Sequence, residues 1–389
     1  MKVLVVAEYF FPAQKAGGPV RSLRYLTQRL GSEIDFSVCA LDRDLGEHKP
    51  FSQVVTGKWI KIEGCRIKYI NQRNYIRAIH AAIREHAPDV VYLNSFFAAS
   101  TRRILTLRSL LGLSKPRFVL APRGELDPGA LCIKSWKKRS YLFLGQTLKI
   151  FEGVEFHATC NQEIQNIRKT VGQSVTIHLA ENLTAQNPKW NAEGHKKSEG
   201  SVRFIFLSRI VPKKNLEFLI AVVSRLCGRV ELVIAGPTED VSYQQTLIRL
   251  CSGLPDNIRV TFRGSVSASE VWSVLAGFHF FVLPTLGENF GHAIVEAWQS
   301  GIPVVVSDRT PWRGLAEMNV GWDLALEDTL AWRRVLQRCV DMSGGDYEAL
   351  RLAVKDYACS FENAQSEIRY KSMFKGDRAL GATQIAVSV

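Results

Sequence analysis

The chain has 389 residues, 46% of them hydrophobic and 22% charged, with a formal charge of +13. Domains usually hold about 100–200 residues, so this length exceeds one ordinary core, and the apolar content excludes a disordered chain. The basic balance points to a partner rich in anionic groups, a nucleotide, phospholipid, lipid-linked phosphate or nucleic acid, without choosing among them.

The start, "MKVLVVAEYFFP", is an apolar run broken by Glu8 with no small-residue cleavage site, so it reads as a first β-strand rather than a secretory signal. Further strands are expected at "IDFSVCAL", "DVVYLNSF", "RFVLAPRG", "VEFHATC" and "TIHLAEN", separated by amphipathic helical patterns, which is the grammar of βαβ units. The rhythm restarts at "VRFIFLSR" and continues through "VELVIAGP", "IRVTFRGS", "HFFVLPT" and "IPVVVSD". An α/β chain of two Rossmann-like doubly wound domains facing a central cleft is therefore expected. The first domain is placed at 1–183, a polar linker "TAQNPKWNAEGHKKSEG" at 184–200, and the second domain at 201–345. Helices over 346–375 follow, the last expected to pack back on the first domain, and 376–389 reads as a mobile tail.

Eight cysteines lie far apart with no C-x-x-C pair, which reads as reduced, buried thiols of a cytoplasmic protein. No uninterrupted apolar stretch approaches the ~18–20 residues that span a bilayer, so any membrane contact is expected to be peripheral.

Ligands of open α/β sheets bind beyond the carboxyl ends of strands, so the residues just after strands carry the functional expectation. After the first strand, Gly17 and Gly18 open an amphipathic helix. Paired glycines there let backbone N–H groups approach a phosphate, although they equally suit a tight turn. The G-x-G-x-x-G fingerprint is absent, against a dinucleotide enzyme. Asp42, Arg43 and Asp44 form a D-x-D after the second strand and read as a solvated loop, so no metal is expected.

Residues 133–151, "IKSWKKRSYLFLGQTLKIF", mix Lys134, Lys137, Lys138 and Arg139 with Trp136, Tyr141, Leu142 and Phe143. This is either a basic amphipathic helix for an anionic membrane or a helix with core aromatics and solvated charges; periodicity does not separate the two.

In the second half, Arg209 ends a strand and Lys214 begins a helix, a placement that suits a diphosphate, the Arg by a forked contact and the Lys as a point charge. "PTLGENFGHAIVEAWQSG" then sets Glu288 in a glycine-flexed loop and Glu296 inside the following helix. Two carboxylates separated by backbone donors suit a ligand with hydroxyls and a phosphate, such as a nucleotide sugar. A glycosidase acid and base pair, or for Glu296 an exposed helix residue, are the competing readings.

Arg209, Lys214 and the E-x7-E from Glu288 to Glu296, followed by "SGIPVVVSD", resemble the retaining nucleotide-sugar glycosyltransferases of family 4, which have the GT-B fold. "RGELDPGAL" (123–131), "FHATCNQE" (156–163) and "TPW" (310–312) resemble members that build bacterial exopolysaccharides and other surface glycans. The resemblance implies a hexosyltransferase-type enzyme in which Arg209 and Lys214 hold the donor diphosphate and Glu288 binds sugar hydroxyls. It further implies that the backbone of Asn289, Phe290, Gly291 and His292 lines sugar and phosphate, that Glu296 binds the ribose, and that Gly17 and Gly18 approach the diphosphate. No cofactor is implied, since the nucleotide sugar is a substrate, and no protein nucleophile.

Many family members carry a His where this chain has "APRGELD", so Arg123, Glu125 and Asp127 become the acceptor-side candidates. The acceptor would be a glycan or lipid-linked glycan at the inner face of the cytoplasmic membrane. A GT-B epimerase or a nonenzymatic sugar-nucleotide binder is the alternative. With no zinc pattern, RNP-like aromatic motif or arginine-rich tail, no nucleic-acid partner is expected.

Overall fold

A computed structural model describes residues 1–111, 115–132, 135–185, 196–267, 270–359 and 364–377. The chain divides into two compact units, Met1–Leu183 with Asn363–Val389, and Thr184–Glu362.

In the first unit the described strands are β1 (Lys2–Val6), β2 (Asp35–Leu41), β3 (Trp59–Ile62), β4 (Cys65–Ile70), β5 (Val90–Asn94), β6 (Arg117–Ala121), β7 (Val154–Ala158) and β8 (Ile177–Leu179). They form one sheet in the order β3-β4-β2-β1-β5-β6-β7-β8, parallel except for the β3–β4 pair. Alternation along a strand sends neighbours to opposite faces. Val3 and Val5 of β1 enter one core and Leu4 and Val6 another, so a continuous apolar run marks a strand covered on both sides.

The helices are α1 (Gly18–Leu30), α2 (Tyr75–His86), α3 (Ala99–Leu110), α4 (Pro128–Cys132), α5 (Ser135–Thr147) and α6 (Asn161–Val171). Leu23, Leu26 and Leu30 of α1 share the core of Val3, whereas Tyr75, Ile79 and Ala82 of α2 share that of Leu4, so the helices cover opposite faces.

The hairpin of β3 and β4 was not among the strands expected from the sequence. Its signal is "WIKIEGCRIKYI", two alternating runs around Glu63-Gly64. Gly64 has φ +75°, and a Cβ there would lie 2.0 Å from the Thr27 carbonyl oxygen, so glycine is required both by conformation and by the approach to α1.

In the second unit, β9 (Ser201–Leu207), β10 (Arg229–Ala235), β11 (Ile258–Gly264), β12 (Phe280–Leu283), β13 (Val304–Ser307) and β14 (Gly321–Leu324) pair in parallel in the order β11-β10-β9-β12-β13-β14. The short β14, "GWDL", also went unforeseen. Helices α7 (Leu216–Val223), α8 (Val241–Cys251), α9 (Val271–Leu275), α10 (His292–Gln299), α11 (Thr329–Asp341) and α12 (Gly344–Cys359) accompany it. Strand order reverses between β9 and β12, and that switch point opens the crevice in which such sheets take ligands.

Of the expected linker, 186–195 lie outside the described residues. Its far end is packed: the buried Lys197 ammonium donates to the carbonyls of Ser198, Val340 and Met342. The last described helix, α13 (Ala364–Lys375), places Tyr370, Met373 and Phe374 in the core shared by Val3 and Leu23. Of the tail, 378–389 lie outside the described residues.

Candidate functional site

β9 delivers Arg209 and then a 3-10 turn, Pro212–Lys214. Pro212 fixes the entry to this turn and Asn215, at φ 58°, reverses the chain into α7. Lys214 is thereby held with only 5% of its surface exposed. Its ammonium pairs with the Glu288 carboxylate, delivered from the other side of the switch point by the loop after β12. Burial pushes the Lys214 ammonium down from the ordinary lysine range, and the Glu288 charge opposes that shift.

The loop bearing Glu288 is tied on both sides. Leu286 N–H donates to Lys213 O at 2.9 Å, and Thr285 Oγ1 accepts from Gly287 N–H at 3.2 Å. Glu288 N–H donates to Arg309 O at 3.0 Å, and Ser307 Oγ donates to Thr285 O at 2.5 Å. Segments after three neighbouring strands, β9, β12 and β13, are thus stitched into one rim.

Gly291, at φ +81°, starts α10, and a Cβ there would approach Ile294 Cδ1 at 2.8 Å. Phe290 is fixed by Trp312, whose Nε1–H donates to its carbonyl at 2.6 Å, and its ring lies 4.8 Å from that of His292. Glu296 is 3% exposed, which rules out the exposed-helix reading: α10 carries a buried carboxylate. Arg209 lies on the same rim, its Nη1 2.8 Å from Glu239 Oε1. Glu239, after β10 in "AGPTED", was not singled out from the sequence.

The second unit therefore brings Arg209, Lys214, Glu288, Asn289, Phe290, Gly291, His292 and Glu296 to the carboxyl ends of β9 and β12 and the start of α10. Cations, one carboxylate at the rim, one buried carboxylate and a helix N-terminus are chemically suited to an anion bearing hydroxyl groups.

Gly17 and Gly18 belong to the first unit. Gly17, at φ +69°, precedes α1, and the Asp44 carboxylate accepts from the N–H groups of Gln14 and Lys15 just before it. Asp42, 1% exposed, accepts from Arg43 Nε at 2.8 Å. The D-x-D is thus not a solvated loop: Asp42 is buried against Arg43, and Asp44 ties down the backbone before the glycine turn. Among the described residues no group of three or more His, Cys, Asp or Glu is placed to hold a metal ion.

Arg123, at φ 58°, is fully engaged: Nε reaches Asn94 Oδ1 at 3.1 Å, Nη1 reaches Asn182 Oδ1 at 2.8 Å and Nη2 reaches Tyr92 Oη at 2.9 Å. Glu125 accepts from Ser95 Oγ at 2.7 Å and from Phe97 N–H at 2.9 Å, and Asp127 accepts from Asn166 Nδ2 at 2.5 Å. Glu163 completes the frame, accepting from Gly124 N–H and from Thr159. These side chains hold the loop after β6 against α6. His157 is entirely enclosed, and burial pushes its ring down to about 3, so it is neutral, hydrogen-bonded to Tyr92 Oη at 2.7 Å.

The family described as Glycosyl transferases group 1 matches residues 188–327, which span the whole rim. The chain is 25% identical over 323 residues to a GDP-mannose-dependent alpha-mannosyltransferase of Corynebacterium glutamicum, covering 78% of this chain and 72% of that one. Its fold is similar to that of sucrose-phosphate synthase from Thermosynechococcus elongatus, with a TM-score of 0.72 at 15% identity over 96% of this chain and 98% of the other. HepE of Anabaena, solved in complex with UDP and glucose, gives 0.69 at 15% identity over 97% and 100%. Two parallel-sheet units with this family match define a glycosyltransferase of the GT-B fold. Within that class the chain is similar to the group 1 glycosyltransferases over residues 188–327.

Proposed function

We propose that the chain transfers a hexosyl group, with retention, from a nucleotide-sugar donor to a lipid-linked glycan during exopolysaccharide or other surface-glycan assembly at the inner face of the cytoplasmic membrane. The observation that carries the donor side is the buried Lys214–Glu288 pair at the switch point of the second sheet. The names of the similar proteins agree with such a donor, the curated relative being GDP-mannose-dependent and the HepE structure holding UDP and glucose.

Arg209 and Lys214 meet the diphosphate, Glu288 turns to the sugar hydroxyls, and the backbone of 289–292 lines the sugar and phosphate. Glu296 takes the ribose. The acceptor hydroxyl attacks the anomeric carbon on the face from which the diphosphate leaves. As the carbon–oxygen bond breaks, its electron pair stays on the phosphate oxygen, which takes the acceptor's proton. Arg209 and Lys214 stabilise that departing charge, an effect worth about 3–4 kcal/mol for one well-placed donor. Arg123, Glu125 and Asp127 shape the acceptor side by holding the loop after β6, and no cofactor or metal is assigned.

Incubation with a panel of nucleotide sugars and membrane extract tests this reading. Nucleotide release that depends on the extract, with the anomeric configuration kept in the product by NMR, is the expected result. Interconversion of the donor without acceptor makes the protein an epimerase, and binding without turnover makes it a sugar-nucleotide binder.

A further inference from the structure

We infer that one face of the first unit, formed by α5 and the end of α3, docks on an anionic lipid surface. This goes beyond the donor reading and does not depend on it, since a chain that transfers no sugar would still bind.

Helix α5 has two sides. Residues advance about 100° around a helix, so Trp136, Ser140, Phe143, Leu144 and Thr147 share one stripe. Trp136, Phe143 and Leu144 are each more than half exposed. Tyr141 and Leu142 turn the other way and pack on the core, and a Cβ on Gly145 would lie 2.5 Å from the Phe151 ring, which fixes the inner face. The aromatics of 133–151 thus divide: Tyr141 is packed, while Trp136 and Phe143 face outward.

Both hydroxyls on the outer stripe are turned back on the helix. Ser140 Oγ donates to Trp136 O at 2.8 Å and Thr147 Oγ1 to Phe143 O at 2.9 Å, so the stripe offers little to water. The apolar area continues onto the neighbouring helix end. Ser109 Oγ donates to Leu148 O, and the Arg108 guanidinium donates to Glu152 O at 2.7 Å and Gly153 O at 3.1 Å. These bonds set the exposed Leu110 and Leu111 beside the exposed Leu148.

Charge selects the occupant. Helices α3 and α5 contain Arg and Lys and no acidic residue, and Arg103, Lys137 and Arg139 are exposed. Lys137 and Arg139 flank the stripe on either side, the arrangement that lets apolar side chains enter the interface while cations meet headgroup phosphates. Two exposed apolar helix surfaces rimmed by cations match a bilayer carrying acidic lipids.

The test is co-sedimentation of the full chain with phosphatidylcholine vesicles, with and without phosphatidylglycerol, at low and raised salt. Binding is expected only to the anionic vesicles, weakening as salt screens it. Phe143→Ser with Leu144→Ser, and separately Lys137→Glu with Arg139→Glu, should each weaken binding about tenfold or more with an unchanged circular-dichroism spectrum and Tm. Equal binding to neutral and anionic vesicles, or either variant binding like the parent, overturns the inference. A parent dimer that the serine variant separates, without loss of vesicle binding, would assign the face to a second copy instead.

Discussion

Lys214 and Glu288 are 74 positions apart in the sequence and form an ion pair at the point where the second sheet reverses its strand order. Their environments differ: the Lys214 side chain is 6% exposed, whereas that of Glu288 is 21% exposed. The carboxylate reaches water more readily than the ammonium.

That asymmetry gives the two single substitutions unequal costs. Glu288→Ala strands a buried ammonium and should destabilise the second unit by about 3–5 kcal/mol, the range for breaking a buried pair. Lys214→Met leaves a carboxylate that hydrates and should cost less. Urea unfolding of both variants decides it, and an equal or reversed order would show that Lys214 has another route to solvation. Both should lower transfer strongly.

Arg209 separates binding from stability. Its pair with Glu239 is partly exposed on both sides, so Arg209→Lys should change stability by no more than about 1 kcal/mol. Lysine lacks the forked contact, and affinity for a nucleoside diphosphate should fall about tenfold by calorimetry. Unchanged affinity would remove Arg209 from the diphosphate site.

Glu155 supplies a pH dependence. Burial alone would raise its pKa, but hydrogen bonds from His178 and Arg117 outweigh that and hold it at about 2. A carboxyl held below its unfolded value of 4.5 stabilises the fold above that pH and loses the contribution as pH falls toward 2. The stability advantage of the parent over Glu155→Gln should therefore be full at pH 7 and shrink between about pH 4.5 and 2. An advantage that stays constant across that window would show that the charge of Glu155 contributes nothing.

Phe374 anchors α13 to the first unit, its ring 5.4 Å from Tyr92 and 5.9 Å from Phe36. Phe374→Ala should cost about 3–5 kcal/mol. Hydrogen exchange should quicken in β1, β2 and β5 and remain unchanged in β9 and β10. Equal loosening of both sets would contradict the assignment of α13 to the first unit.

Most of the strands and the rim residues were legible because burial on both faces writes continuous apolar runs and because ligands gather after strands. What was hidden depends on pairing at a distance. Nothing local marks Glu239 as the partner of Arg209, or the Asp44 carboxylate as the acceptor for the backbone before the glycine turn. The hairpin of β3 and β4 was readable from alternation around Glu63-Gly64, but it departs from the βαβ rhythm. Periodicity could not say which side of α5 meets the core, because apolar side chains occupy both sides; Gly145 against Phe151 decides it.

The first unit is assembled from the two ends of the chain, with the second unit inserted between Leu183 and Asn363. Translation is vectorial, so the inserted unit leaves the ribosome whole while its host still waits for α13. Tyr370, Met373 and Phe374 are among the final residues needed to seal a core that begins with Val3. A ribosome halted after the second unit would release a protein with its second sheet complete and its first sheet unsealed.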